Sequence, residues 1–152
     1  MTASRVLVLA LGTPILRDDG IGWRVVEEVQ RRVLLGSTEF DCLALGGLAL
    51  MERLIGYERA ILVDAIRTER GLPGTVYRLG LDDLPSLHAN SIHDLSLKEA
   101  LELGHRLAAQ LPTEIVVIAV EVVDVLDFGE ELSPPVECAV PVAVEAVLAA
   151  LS

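Results

Sequence analysis

The stretch Leu9-Ala-Leu-Gly-Thr-Pro-Ile-Leu-Arg-Asp-Asp-Gly-Ile-Gly22 decides the fold of this chain. An apolar run enters a Gly/Pro turn, and two adjacent carboxylates, Asp18 and Asp19, stand just before an amphipathic segment. A strand–loop–helix unit of this kind puts its loop at the carboxyl end of a strand, where open α/β sheets keep their ligand crevices. Upstream, the run Arg5–Leu11 is continuously apolar after Arg5 and suits a central strand. Downstream, Ile21, Val25, Val29 and Val33 recur every four residues, while Arg24, Glu27, Glu28 and Arg31 occupy another face. That is the period of a helix packed on one side.

Working outward, Phe40–Leu45 reads as a second strand ending at Gly46-Gly47, and Leu48–Ile55 as a short helix packed by Leu50, Met51 and Leu54. Arg59–Ala65 is a third buried strand with Asp64 near its end. Thr75–Leu79, after a Gly-Leu-Pro-Gly turn, reads as an edge strand of antiparallel sense. A polar loop over 82–94 carries His88 and His93. Ser96-Leu-Lys-Glu99 has the form of a capping box opening a helix, with Leu97, Leu101, Gly104, Ala108 and Leu111 on one stripe. Ile115–Val120 is a fifth strand ending at Glu121. Ser133 and Pro134 start the last helix, which runs to about Ala150. This alternation predicts an α/β fold in one domain over 1–152: a three-layer α/β/α sandwich around a five-stranded, mostly parallel twisted sheet.

Composition agrees. Of the 152 residues 52% are apolar but only 3% aromatic, so the core is built from Val, Leu, Ile and Ala, as in parallel strands covered on both faces. The formal net charge is −11, and no Lys/Arg cluster offers a footprint for phosphates. Nucleic acid and an anionic membrane are therefore not expected as partners; a cation or a basic peptide fits better. Cys42 and Cys138 lie far apart, without metal-ligand spacing, and point to packing thiols in a reducing cytoplasm. The N-terminal apolar run is short for a signal peptide, and no uninterrupted apolar segment reaches the roughly 20 residues of a membrane helix.

Several residues are candidates for chemistry. Asp18 and Asp19 either form a turn that caps the helix or face one cavity, where they would invite a cation or share a proton. A phosphate loop does not fit: Pro14 has no amide proton, and the two anions repel phosphate. Asp64 follows Ile61-Leu62-Val63, where an unpaired carboxylate is costly; it either bonds loop amides or points into the crevice. His93, His88 and Glu121 fall near the same strand ends, with crevice and solvent both open to them, whereas His105 lies mid-helix and reads as a surface residue. Asp19, Asp64 and His93 together offer two oxygens and an imidazole nitrogen, a set suited to a borderline divalent metal with coordination positions left open. No Ser or Cys stands in a nucleophile elbow, so acyl-enzyme chemistry has no candidate.

The sequence resembles the hydrogenase maturation protease family. Gly12-Thr-Pro-Ile-Leu-Arg-Asp-Asp-Gly-Ile-Gly22 is similar to the family's opening Gly-Asn-x-Leu-x-x-Asp-Asp/Glu-Gly-x-Gly, and Gly46-Gly-Leu-Ala-Leu-Met-Glu-Arg-Leu54 to its Gly-rich segment. Leu62-Val-Asp-Ala65, Ser91-Ile-His-Asp-Leu95 and Leu132-Ser-Pro-Pro-Val136 resemble the three motifs that follow. The departures are Thr13 where Asn is common, and Asp19 where many members carry Glu. The resemblance implies an endopeptidase that removes the C-terminal extension of the nickel-loaded [NiFe] hydrogenase large-subunit precursor. It puts the family's metal ligands on Asp19, Asp64 and His93, with nickel presented by the precursor's cysteines. A monomer is expected. A non-catalytic nickel carrier or checkpoint protein would use the same three ligands, and a nucleotide-binding module is disfavoured by the first loop.

Overall fold

The structure is a computed structural model and describes residues 5–33, 36–44, 47–83 and 94–152. Five strands, β1 (Val6–Leu11), β2 (Thr38–Leu43), β3 (Arg59–Ile66), β4 (Val76–Leu79) and β5 (Glu114–Glu121), form one sheet in the order β2-β1-β3-β5-β4. The first four in that order run parallel, and β4 closes the edge antiparallel to β5. Helices α1 (Ile21–Arg32) and α4 (Pro134–Leu151) cover one face, and α2 (Leu48–Leu54) and α3 (Asp94–Arg106) the other. The expected three-layer α/β sandwich is present.

The central strand shows why the sequence folds this way. All six residues of β1 are buried, because both faces are covered. Val6, Val8 and Ala10 join Val25 and Val29 of α1 and Ala143 and Val147 of α4. Leu7, Leu9 and Leu11 instead join Leu50, Met51 and Leu54 of α2 and Leu97 and Ala100 of α3. A period of two along the strand thus feeds two separate cores. Each such Val, Leu or Met side chain contributes about 1.5–3 kcal/mol by leaving water.

Strand β2, helix α3 and Cys138 differ from expectation. Strand β2 begins at Thr38 and ends at Leu43, not at Phe40 and Leu45; Leu45 and Gly46 lie outside the described residues. As an edge strand it alternates half-buried and exposed residues, so its polar Thr38 and Glu39 escape a search for apolar runs. Helix α3 begins at Asp94, which puts Ser96 inside the helix rather than at its cap; the Ser-x-x-Glu spacing also fits a first turn already under way. Cys138 is exposed on α4, and only Cys42 is partly buried against the core.

Helix α4 is by length and composition apolar enough to cross a membrane, with mean hydropathy 1.6. Its Val136, Ala139, Ala143, Val144, Val147 and Ala150 are buried in the core shared with α1 and the sheet.

Candidate functional site

The loop after β1 folds back over the end of its own strand. Gly12 adopts φ +112°, and a Cβ there would lie 2.3 Å from the Asp19 carbonyl oxygen and 3.2 Å from its carboxyl carbon. Only glycine satisfies both the dihedral and the contact. The Trp23 indole donates to the Gly12 carbonyl at 2.8 Å, and the Thr13 amide donates to Asp19 Oδ2 at 2.9 Å. Residues Arg17–Gly20 form one 3-10 turn that runs straight into α1 and packs against β3. Asp19 is held there 2% exposed. Thr13, where the family's pattern has Asn, therefore orients Asp19 through its backbone, which any non-proline residue supplies.

Asp64 lies two residues before the end of β3, opposite Ala119 of β5. By the strand's period of two it shares a face with Leu62 and Ile66, which pack toward the α2/α3 layer. Its Oδ1 accepts the Ala65 amide at 2.8 Å, and the residue is 6% exposed. Strands β1 and β3 are neighbours, and the chain leaves β1 for β2 on one side and returns as β3 on the other. That reversal of strand order is where such sheets place ligands. Asp19 follows one flanking strand and Asp64 stands on the other. The two therefore share one end of the sheet, each with an oxygen fixed by a backbone amide.

Asp18 does something different from its neighbour. It is fully buried, and its Oδ2 accepts the amides of Val123 and Asp124 at 3.0 Å each, while Oδ1 accepts that of Ser133 at 2.7 Å. The two adjacent carboxylates do not share a cavity as a pair: Asp18 clamps the β5–α4 loop and the start of α4 onto the turn. Ser133 is the N-cap residue of α4, but without a side-chain cap; its carbonyl accepts the Val136 and Glu137 amides. Arg17 takes a left-handed φ of 48°. It is held by its amide to Gly129 O at 2.8 Å and by its guanidinium to Glu131 O at 3.2 Å and Asp124 Oδ2 at 3.3 Å.

Glu121, for which crevice and solvent were both open, is turned away from solvent. It is 2% exposed and accepts the Thr68 amide and hydroxyl at 2.7 Å each and the Tyr77 hydroxyl at 3.1 Å. A Cβ on Gly71 would collide with it. Burial and the hydrogen bond to Glu121 push the Tyr77 phenol above its ordinary range. Asp124 accepts the Leu126 and Asp127 amides at 3.0 Å each. Hydrogen bonds from Asp127 and Leu126, and the Arg17 charge, bring its carboxyl down to about 2. His105 is exposed in the last turn of α3, as its surface reading expected. His88 and His93 lie outside the described residues. Among the described residues, no three His, Cys, Asp or Glu side chains gather as a metal cluster. Asp18 and Glu121 were not assignable from sequence, since their partners lie between 44 and 115 positions away; the only local signal is that each is a carboxylate in an apolar setting.

A family model of hydrogenase maturation proteases matches residues 23–150. The hydrogenase 2 maturation protease of Escherichia coli K12 is 34% identical, over 97% of this chain and 90% of its own length. The structure of the hydrogenase maturating endopeptidase HybD from E. coli superimposes with a TM-score of 0.82 at 32% identity, covering 97% of this chain and 91% of that one. The [NiFe] hydrogenase maturation protease HybD from Thermococcus kodakarensis gives a TM-score of 0.73 at 28% identity, covering 97% and 99%.

Proposed function

This chain belongs to the hydrogenase maturation protease family, and on that premise we propose that it removes the C-terminal extension of a nickel-loaded [NiFe] hydrogenase large-subunit precursor. It is an endopeptidase of hydrogenase maturation, as its relatives are named. The observation that carries the finer proposal is the placement of Asp19 and Asp64 at one end of the sheet, on either side of its switch point, each buried and each with an oxygen accepting a backbone amide.

Two carboxylates are hard oxygen donors, and with an imidazole they suit a borderline divalent ion. In this proposal Asp19 and Asp64 offer the oxygens and His93 the nitrogen to the nickel that the precursor carries on its cysteines. The assignment of His93 rests on the family motif Ser91-Ile-His-Asp-Leu95. The bound ion supplies polarisation of the scissile carbonyl or a lowered pKa of the attacking water. The protein's own work is positional: the Thr13 amide and the Trp23–Gly12 bond fix the Asp19 loop, and the Ala65 amide fixes Asp64. A carboxylate so held could also serve as general base for the attacking water. We place the reaction in the reducing cytoplasm, a setting that suits the two unpaired thiols.

The test is to incubate the purified protein with nickel-loaded precursor and weigh the products by mass spectrometry. A precursor shortened by its C-terminal segment is expected. An intact precursor in a stable complex would replace the proposal with the carrier reading.

A further inference from the structure

Exposed apolar side chains concentrate beside the candidate site. On the loop between β5 and α4, Val123, Leu126 and Phe128 are 46%, 78% and 85% exposed, and Ile15 on the loop after β1 is 53% exposed. The two loops are stitched together: the Gly129 amide donates to Ile15 O and the Arg17 amide to Gly129 O, both at 2.8 Å. The surface is held in shape. Asp124 Oδ1 takes the amides of Leu126 and Asp127, while Asp18 takes those of Val123 and Asp124. Large apolar groups held outward by a satisfied hydrogen-bond scaffold are the mark of a contact surface. The same Asp18 that anchors this surface precedes Asp19 in the chain, so hydrogen bonds tie the platform to the turn that carries Asp19.

The rim of this platform is anionic. Asp127, Glu130 and Glu131 are exposed, and Arg17 is already engaged by Asp124 and the Glu131 carbonyl. A second copy of a chain carrying net charge −11 would bring like charges to that rim, which disfavours self-association.

The geometry points to a docking platform, formed by Ile15, Val123, Leu126 and Phe128, for an apolar stretch of the protein substrate flanked by Lys or Arg. This rests on the endopeptidase reading and says where the precursor is gripped beyond its metal. The platform supplies apolar burial, and the carboxylate rim supplies orientation and capture rate.

The experiment compares the parent protein with Leu126→Ser/Phe128→Ser, Glu130→Gln/Glu131→Gln and, as control, Leu107→Ser at the exposed position just after α3. Circular dichroism verifies folding, calorimetry with nickel-loaded precursor gives Kd, and cleavage kinetics give KM and kcat. The apolar double variant should weaken Kd and raise KM by about tenfold, with a smaller change in kcat. The rim variant should flatten the salt dependence of binding, and the control should match the parent. Unchanged Kd and KM in the apolar double variant overturn the platform. So does a parent protein that sediments as a dimer and becomes monomeric in that variant, because a second copy would then be the occupant. If the parent binds the precursor but never cuts it, the protease reading falls, while the Kd comparison still decides the platform.

Discussion

Gly22 presses against the carbonyl oxygen of Val63, the residue before Asp64: a Cβ on Gly22 would come within 2.6 Å of that oxygen and 3.2 Å of the Leu11 carbonyl. The first turn of α1 thus seats directly on the ends of β1 and β3, which is what brings the preceding Asp19 to the strand that carries Asp64.

Replacing Gly22 by Ala sets two effects against each other. In a free helix Ala is favoured by about 1 kcal/mol, but the added methyl meets backbone rather than a pliable side chain. The contact should win, with a net loss of about 1–3 kcal/mol and weakened cleavage. Chemical denaturation checks the sign, and a stabilised variant would show that the seat is not tight.

Asp18→Asn keeps the size of the side chain but turns an amide group toward backbone donors that need acceptors. Leaving a buried donor unmet costs about 1–3 kcal/mol, more where the lost acceptor was charged. A lower melting temperature is expected, together with faster amide exchange at Val123, Asp124 and Ser133. Equal exchange at those three amides would refute the clamp.

Asp19→Asn should leave the fold intact, since an amide oxygen can still accept from Thr13. Processing of the precursor should fall beyond the roughly 10–100-fold typical of losing a residue behind a metal ligand. Wild-type cleavage rates would remove Asp19 from the proposed set.

The loop 124–131 should loosen in acid. Asp124 has its carboxyl at about 2, below the ordinary aspartate value of about 3.9. A depressed folded-state value stabilises the loop above the unfolded value, and this is lost as pH falls from about 4 toward 2. The amide chemical shift of Leu126, which donates to Asp124, should titrate in that window and lose that transition in Asp124→Asn. A midpoint near the ordinary aspartate value in the parent would contradict the network.

The two thiols should separate by reactivity. Burial, then the charges of Asp41 and Glu27, push the Cys42 thiol to about 11, leaving about one part in a thousand as thiolate at pH 8. Cys138 is exposed and should be alkylated first; peptide mapping after brief iodoacetamide treatment reads the order.

Much of this architecture was legible in the chain because local periodicity and burial coincide. The unbroken apolar run of β1, the four-residue repeat of α1 and the Pro at the start of α4 each report their own environment. The antiparallel edge at β4 was likewise readable from its turn. Asp19 and Asp64 were found at strand ends because that position follows from topology alone. Asp18 was not separable from Asp19, since its partners Val123, Asp124 and Ser133 are distant in sequence and nothing local names them. Glu121 was ambiguous for the same reason, its partners Thr68 and Tyr77 sitting on other elements. The start of α3 was misread because a capping-box spacing does not by itself say where a helix begins.

The Asp18–Ser133 hydrogen bond joins positions 115 residues apart, and this bears on when the protein can work during its synthesis. Chains emerge from the ribosome amino end first, so the turn bearing Asp19 appears long before the segment that anchors it. A nascent chain stalled ahead of residue 133 has the acidic turn, both flanking strands and the Val123 and Asp124 donors, but not the Ser133 amide that completes the clasp. The turn therefore gains its last anchor only once residue 133 has been made, well after both strands that flank it.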